Sequence, residues 1–212
     1  MASVRIDIVA DVACPWCYLG KARLELAIGE IQDRVSTEIA WHPFLIETVN
    51  TADDGNNPAA NARIEELERL GNEVGIAFDF ARAPSKIDSL NAHRLIHWAG
   101  TEGAETQDRV VSALFRAHFE EGRDIADPAE LSTIAGNSGM SAKVVSALLA
   151  SGADNDTVKE DLDAAKTMGI SEVPIFIIDG QYAISGAQTP DVIANALLEI
   201  ATAKEKALSQ LN

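Results

Sequence analysis

Apolar positions change period twice along the chain. Val4, Ile6 and Ile8 alternate with Arg5 and Asp7 in a β-branched run, which predicts a strand over 4–9. From Pro15 the spacing becomes helical: Trp16, Leu19, Ala22, Arg23, Leu26 and Ile31 follow a proline at the first helical position, where its missing N–H costs little. Alternation returns at Ile39 and Trp41 within 37–44. Strand, helix and strand in this order make a βαβ unit, and the right-handed crossover rule makes its two strands parallel neighbours.

The middle of the chain reads differently. Asn50 to Asn57 is polar and turn-rich and leads to Pro58 as a helix start. Apolar stripes at helical spacing then follow: Ile64, Leu67, Leu70 and Val74; Leu95, Ile96 and Trp98; Val110, Val111, Leu114, Phe115 and Phe119. Asp127, Pro128 and Glu130 predict a capping box before Leu131 and Ile134. Ser141 and Asn155 open two further helices. After Gly169 the β pattern resumes in 175–178, turns at Asp179-Gly180, the strongest short hairpin signal, and returns through 182–185. Thr189-Pro190 starts a last helix. The expectation is an α/β domain built from both chain ends, 1–50 and 169–212, with an all-helical insertion over 58–168.

Composition narrows the classes. The chain has 212 residues and a formal net charge of −16, so it is not a generally basic nucleic-acid binder. Hydrophobic residues make up 47% and charged residues 24%, ordinary globular usage, and the length is ample for a hydrophobic core without disulfide staples. The longest apolar runs fall far short of the roughly 20 residues a spanning helix needs, so no membrane association is expected. The N-terminus shows no basic segment leading into an apolar core of signal-peptide length, so a cytoplasmic location is expected.

Cysteine usage is the informative departure. There are two, Cys14 and Cys17, in Cys14-Pro15-Trp16-Cys17. Two cysteines scattered at random would take this spacing in about one case in a hundred. At a helix N-terminus, Cys14 faces the positive end of the macrodipole and unpaired backbone N–H groups, both of which favour a thiolate. Cys17, one turn later, reaches the first sulfur and resolves a mixed disulfide. Pro15 fixes the turn, and Trp16 is placed to cover the sulfurs or meet a substrate.

Other candidate chemistry is weaker. A closed zinc site needs two more ligands than the cysteines supply. His93 and His97 stand at i and i+4, but Arg94 occupies the place where a zinc-peptidase helix needs glutamate, and no third ligand is evident. No metal is expected. Packing is the ordinary role of both histidines, and of His42 and His118, while His93 is a candidate for lining a cleft above the dithiol. Pro174, after Glu172-Val173, opens the returning strand. A cis Val173–Pro174 bond would bring the ring against the dithiol and leave the backbone of Val173 free to pair with a bound peptide.

The segment Asp11-Val12-Ala13-Cys14-Pro15-Trp16-Cys17-Tyr18-Leu19-Gly20 resembles the active-site segment of the DsbA-like thioredoxin superfamily, in particular its FrnE-like branch. Ala92-His93-Arg94-Leu95, Glu121-Gly122-Arg123-Asp124-Ile125, Val173-Pro174 and Ser185-Gly186-Ala187-Gln188 extend the likeness over nearly the whole chain, in order. The resemblance implies a thioredoxin fold with a large all-helical insertion and thiol–disulfide oxidoreductase activity. By residue it implies Cys14 as nucleophile, Cys17 as resolving thiol and Pro174 as the cis-proline. The dipeptide between the cysteines is Pro-Trp and lacks the histidine of periplasmic DsbA, so that enzyme's very low thiol pKa and strongly oxidising potential are not carried over.

Substrate-binding residues are then expected among Pro15, Trp16, Val173, Pro174 and His93. No tightly bound cofactor is expected beyond a redox-active Cys14–Cys17 disulfide, with glutathione a candidate cosubstrate. The partners are protein or small-molecule thiols and disulfides. The oligomeric state stays open, a dimer being one candidate. Two alternatives remain. Kappa-class glutathione transferases and 2-hydroxychromene-2-carboxylate isomerases are similar in architecture but carry serine where Cys14 stands. A non-catalytic, chaperone-like binding module would use the apolar helical stripes, which more often form core.

Overall fold

A computed structural model of the protein describes residues 2–46, 58–84 and 87–210. In chain order these form β1 (Ala2–Ala10), α1 (Pro15–Ile31), β2 (Val35–Pro43), α2 (Pro58–Glu73), α3 (Leu90–Glu102), α4 (Ala104–Phe119), α5 (Pro128–Asn137), α6 (Ala142–Ser151), α7 (Asn155–Thr167), β3 (Ile175–Ile178), β4 (Tyr182–Ser185) and α8 (Pro190–Ser209). The polar stretch from Asn50 to Asn57 lies outside the described residues.

The sheet order is β2-β1-β3-β4. β1 pairs in parallel with β2, as the βαβ reading requires, and antiparallel with β3. The β3–β4 hairpin turns at Asp179 and Gly180, with φ of 49° and 66°. Positive φ at both central residues suits the twist of flanking strands, which is why Asp-Gly is favoured there. Asp179 adds ties of its own, accepting the Arg5 N–H at 3.0 Å and the Lys204 ammonium at 2.9 Å.

Both faces of β1 are covered towards its C-terminal end. Val4, Ile6 and Ile8 join Leu24, Ala27 and Ile31 of α1, Phe176 and Ile178 of β3, and Ile193 and Leu197 of α8 in one core. On the other face Val9 packs with Phe44 and Ala165 of α7. The result is an α/β arrangement in which the two chain ends supply the sheet with α1 and α8, and α2 to α7 are carried between β2 and β3. α1 is buried on most sides: Cys17, Leu19, Gly20, Lys21, Arg23 and Leu24 are all inaccessible.

The helical layer grips the sheet at β2, an edge strand. Gln107 of α4 accepts the Trp41 N–H at 3.0 Å through Oε1 and donates to the Trp41 carbonyl at 3.3 Å through Nε2. One side-chain amide thus supplies what a neighbouring strand would supply, and covers part of an edge that would otherwise invite pairing. Within the layer, buried Arg94 donates to Leu148 O and Ala153 O at 2.8 Å each, and its guanidinium lies 5.0 Å from the Trp98 ring centroid. These bonds join α3 to the α6–α7 turn.

Two local expectations need correction. The stripe through Val74 runs past the helix: α2 ends at Glu73 because Gly75 takes φ 83°, and the Ile76 N–H returns to Gly71 O at 2.9 Å. This is a Schellman stop, and the described residues between α2 and α3 are turns and loop. The capping box before α5 forms by half. Asp127 accepts the Ala129 N–H, but Glu130 pairs with Arg123, and the Asp127 N–H goes to Asp124 O. A guanidinium is a stronger partner for the carboxylate than a backbone amide.

His118 on α4 is 2% exposed and its Nδ1 has no partner among the described residues. Burial pushes its pKa down from 6.5 to about 4, against the opposing pull of Asp11 and a bond to the Arg123 backbone. The unfolded chain therefore binds a proton between these values that the folded one refuses. The contribution is present above about pH 6.5 and is lost as pH falls through about 4, amounting to about 3 kcal/mol. Denaturant unfolding from pH 7 to 4 should show this loss, and a His118→Phe variant should show a flatter profile.

Candidate active site

Cys14 is the N-cap of α1, with extended backbone (φ −96°, ψ 115°), and Pro15 follows in the first turn. The sulfur makes no close cap bond of the ordinary Ser or Asp kind, and the N–H groups of the first turn reach it only as weaker donors. Cys14 is 6% exposed and Cys17 1%, and both are free thiols. The loop into the helix is fixed by the Cys14 N–H on Asp11 O at 3.0 Å and the Cys17 N–H on Cys14 O at 3.0 Å.

The two sulfurs are driven apart in acidity. The Cys14 pKa is lowered, first by a hydrogen bond from the Cys17 thiol; burial opposes this, backbone N–H groups of Cys17 and Trp16 assist it, and the Asp11 charge opposes it. Cys17 moves well up, because it is fully enclosed and its proton is engaged by Cys14. A desolvated thiolate survives only when donors replace water, and the helix start supplies them. Cys14 is the more acidic sulfur and Cys17 the less acidic one.

Asp11 is the residue that the sequence reading passed over. It is 1% exposed. Its Oδ1 accepts from the Ala13 N–H at 3.0 Å, Ser89 Oγ at 2.8 Å and His93 Nε2 at 3.3 Å, while Oδ2 accepts from the Ile46 N–H at 2.9 Å. Burial works against its ionisation, but the bonds from His93, Ala13 and Ile46 outweigh it and hold the carboxyl below its ordinary range. The signal available in the sequence was an aspartate ending an apolar strand three residues before the cysteine; its partners come from distant segments.

The remaining candidates fall into two groups. Trp16, between the two cysteines, is 39% exposed. The Val173–Pro174 bond is cis. Pro174 packs on α1 at Gly20, one turn beyond Cys17: a Cβ on Gly20 would lie 2.9 Å from Pro174 Cγ and 3.2 Å from Phe176 Cζ. Among the described residues no hydrogen bond engages the backbone of Val173, while Pro174 O accepts the Gly186 N–H at 2.9 Å. Arg23 of α1 donates to Ala187 O at 2.6 Å, holding the Ser185–Gln188 turn to the helix.

His93 is buried against Asp11 and borders a cavity of about 640 Å³ beside β2, whose walls include Trp41, Ile96, His97 and Val158 but neither cysteine. His42 is exposed and pairs with Asp7 at 2.8 Å. No cluster of three or more His, Cys, Asp or Glu suited to a metal occurs among the described residues, and no helix there is long and apolar enough to cross a membrane. Tyr18 anchors the helix start sideways: it stacks on Phe115 at 5.0 Å and its hydroxyl donates to Glu120. Burial and that carboxylate keep the phenol protonated.

The model of the family described as "DSBA-like thioredoxin domain" matches residues 5–198. The chain is 30% identical to the probable DsbA oxidoreductase SCO1869 from Streptomyces coelicolor, whose crystal structure superposes with a TM-score of 0.79 over 94% of this chain and 90% of that one. It is 27% identical to the uncharacterized protein YwbO of Bacillus subtilis (strain 168), over 92% of this chain and 96% of YwbO. The cytosolic disulfide reductase DsbM from Pseudomonas aeruginosa, in a structure with GSH, shares the fold at 16% identity, with a TM-score of 0.60 over 97% of this chain and 99% of that one.

Two outcomes test the geometry. Replacing Cys17 by Ala removes the main donor to the thiolate, so the midpoint of Cys14 ionisation, read from thiolate absorbance or alkylation rate against pH, should rise. Gly20→Ala forces its new methyl against Pro174 and should destabilise the fold by about 1–3 kcal/mol in denaturant unfolding, as overpacking does.

Proposed function

This chain belongs to the DSBA-like thioredoxin domain family, and from that premise we propose that it is a thiol–disulfide oxidoreductase acting through Cys14 and Cys17. The observation that carries the reading is a pair of free thiols on one turn at the start of α1, Cys14 at the N-cap and Cys17 enclosed behind it with its N–H on the Cys14 carbonyl at 3.0 Å, an arrangement that favours ionisation of the first and disfavours it in the second.

The Cys14 thiolate attacks one sulfur of a substrate disulfide. The substrate S–S bond breaks, one substrate thiolate leaves, and a mixed disulfide joins Cys14 to the other half. Charge on Cys14 is now gone, so the proton of Cys17 loses its acceptor. Cys17 gives that proton up and attacks the Cys14 sulfur, and the second half leaves as a thiol. Two electrons pass to the substrate and a Cys14–Cys17 disulfide remains. Two molecules of a low-molecular-weight thiol such as glutathione would restore the dithiol, themselves ending as a disulfide.

Substrate would approach on the Trp16 and Val173–Pro174 side. An exposed indole offers apolar contact, and the unengaged backbone of Val173 offers an extended peptide a strand-like partner. A reducing compartment suits the chain, since it carries no cysteine beyond this pair and relies on no structural disulfide. Against glutathione-dependent isomerase chemistry stands Cys17 itself, for which a one-thiol reaction has no use.

Cys14→Ser should abolish reduction of insulin disulfides. Cys17→Ser should accumulate mixed disulfides with substrate or glutathione, visible by mass spectrometry and released by reductant. Full activity in both variants would refute dithiol exchange; activity lost only at Cys14, with tight glutathione binding, would favour the isomerase class.

A further inference from the structure

Asp11 is joined to the dithiol loop by its backbone and its side chain: its carbonyl accepts the Cys14 N–H at 3.0 Å, and its Oδ1 accepts the Ala13 N–H at 3.0 Å. Its carboxylate is pinned from two other parts of the chain, by Ser89 and His93 at the start of α3 and by the Ile46 N–H after β2, as well as by the nearby Ala13 N–H. With four donors on two oxygens, it is not free to swing towards a sulfur and take a proton. What it brings to the dithiol is a stationary negative charge, shielded from solvent.

We propose that Asp11 sets the direction of electron flow: its fixed charge behind the Cys14-Cys17 loop disfavours the thiolate, and hence the reduced pair, making the dithiol a better electron donor. The proposal rests on the dithiol-exchange reading and deepens it. The logic is linkage between two equilibria. A charge that repels the thiolate raises the free energy of the reduced state more than that of the uncharged disulfide, and so lowers the reduction potential. The helix start and the Cys17 thiol pull the other way. The Asp11 charge also opposes Cys14 ionisation, as the competing contributions to that thiol show. Ser89, which begins α3, and His93 within it compensate part of the charge, so the helical layer adjusts the field that the sulfurs feel.

The decisive measurement is the Cys14/Cys17 reduction potential, by equilibration in glutathione buffers with thiol trapping. Asp11→Asn keeps the shape and removes the charge. It should shift the equilibrium about tenfold towards the dithiol, a rise of about 30 mV, and should move the Cys14 ionisation midpoint down. Ser89→Ala removes a neutral donor and leaves the charge less compensated, so the potential should fall, by about twofold in the equilibrium constant. Opposite signs are what a merely structural role would not give. An unchanged or lowered potential in Asp11→Asn, or a shift of both variants in one direction, overturns the proposal. Should Asp11→Asn not fold, the Ser89→Ala sign decides: a fall supports the proposal, and no change or a rise overturns it. If the wild-type protein forms no dithiol–disulfide equilibrium with glutathione at all, dithiol exchange is refuted. The Cys14 ionisation midpoint in the same variants then still reports whether the Asp11 charge opposes the thiolate.

Discussion

A sulfur whose ionisation is favoured in a place that water hardly reaches is the constraint around which the site is built. Desolvation alone would keep Cys14 protonated. What offsets it is a set of donors arriving together at the start of α1: the Cys17 thiol and the N–H groups of Trp16 and Cys17. None of these can move independently, since all belong to the same helical turn. The chemistry of the site therefore depends on α1 beginning where it does, and Pro15 in the first turn after an extended Cys14 fixes that point.

The rest of the fold can be understood as holding that helix from several sides. β1 delivers the chain to Asp11 and the loop. Gly20 lets Pro174 and Phe176 approach within contact of the helix backbone, and Arg23 ties the Ser185–Gln188 turn to it. On the opposite flank Tyr18 stacks on Phe115, and Lys21 pairs with Glu25 and with Asp108 of α4. The helices carried between β2 and β3 are thus part of the apparatus that positions the sulfurs. Their attachment at β2 through Gln107 is equally specific: one amide satisfies both the N–H and the carbonyl of Trp41.

Features that depend on neighbours in sequence were legible in it. The βαβ unit, the Asp179-Gly180 hairpin and the helix starts at Pro15, Pro58 and Pro190 follow from periodicity and turn chemistry, which act within a few residues. The dithiol at the start of α1 was legible for the same reason, since both sulfurs lie on one turn. The Asp11 network was not. Its donors come from 13, 46, 89 and 93, and nothing in the spacing of Ser89 or His93 points to a carboxylate far behind them. His93 illustrates the limit: its residue type makes it a candidate near the dithiol, but its partner there, Asp11, lies 82 residues away and no local pattern points to it. Glu130 shows the converse error, where a local motif is outbid by Arg123.

Charge operates here on two scales that should be kept separate. The net −16 of the chain is spread over a wetted surface, where counterions screen it within about 8 Å at physiological ionic strength. Such charge governs solubility and repulsion from polyanions, and it reaches an enclosed sulfur weakly. Asp11 carries a single charge but carries it inside, bonded through its backbone carbonyl to the Cys14 N–H and enclosed from solvent and salt. The enclosed charge acts on the sulfurs directly, opposing ionisation of both, and the overall acidity of the sequence is therefore no guide to the redox character of the site.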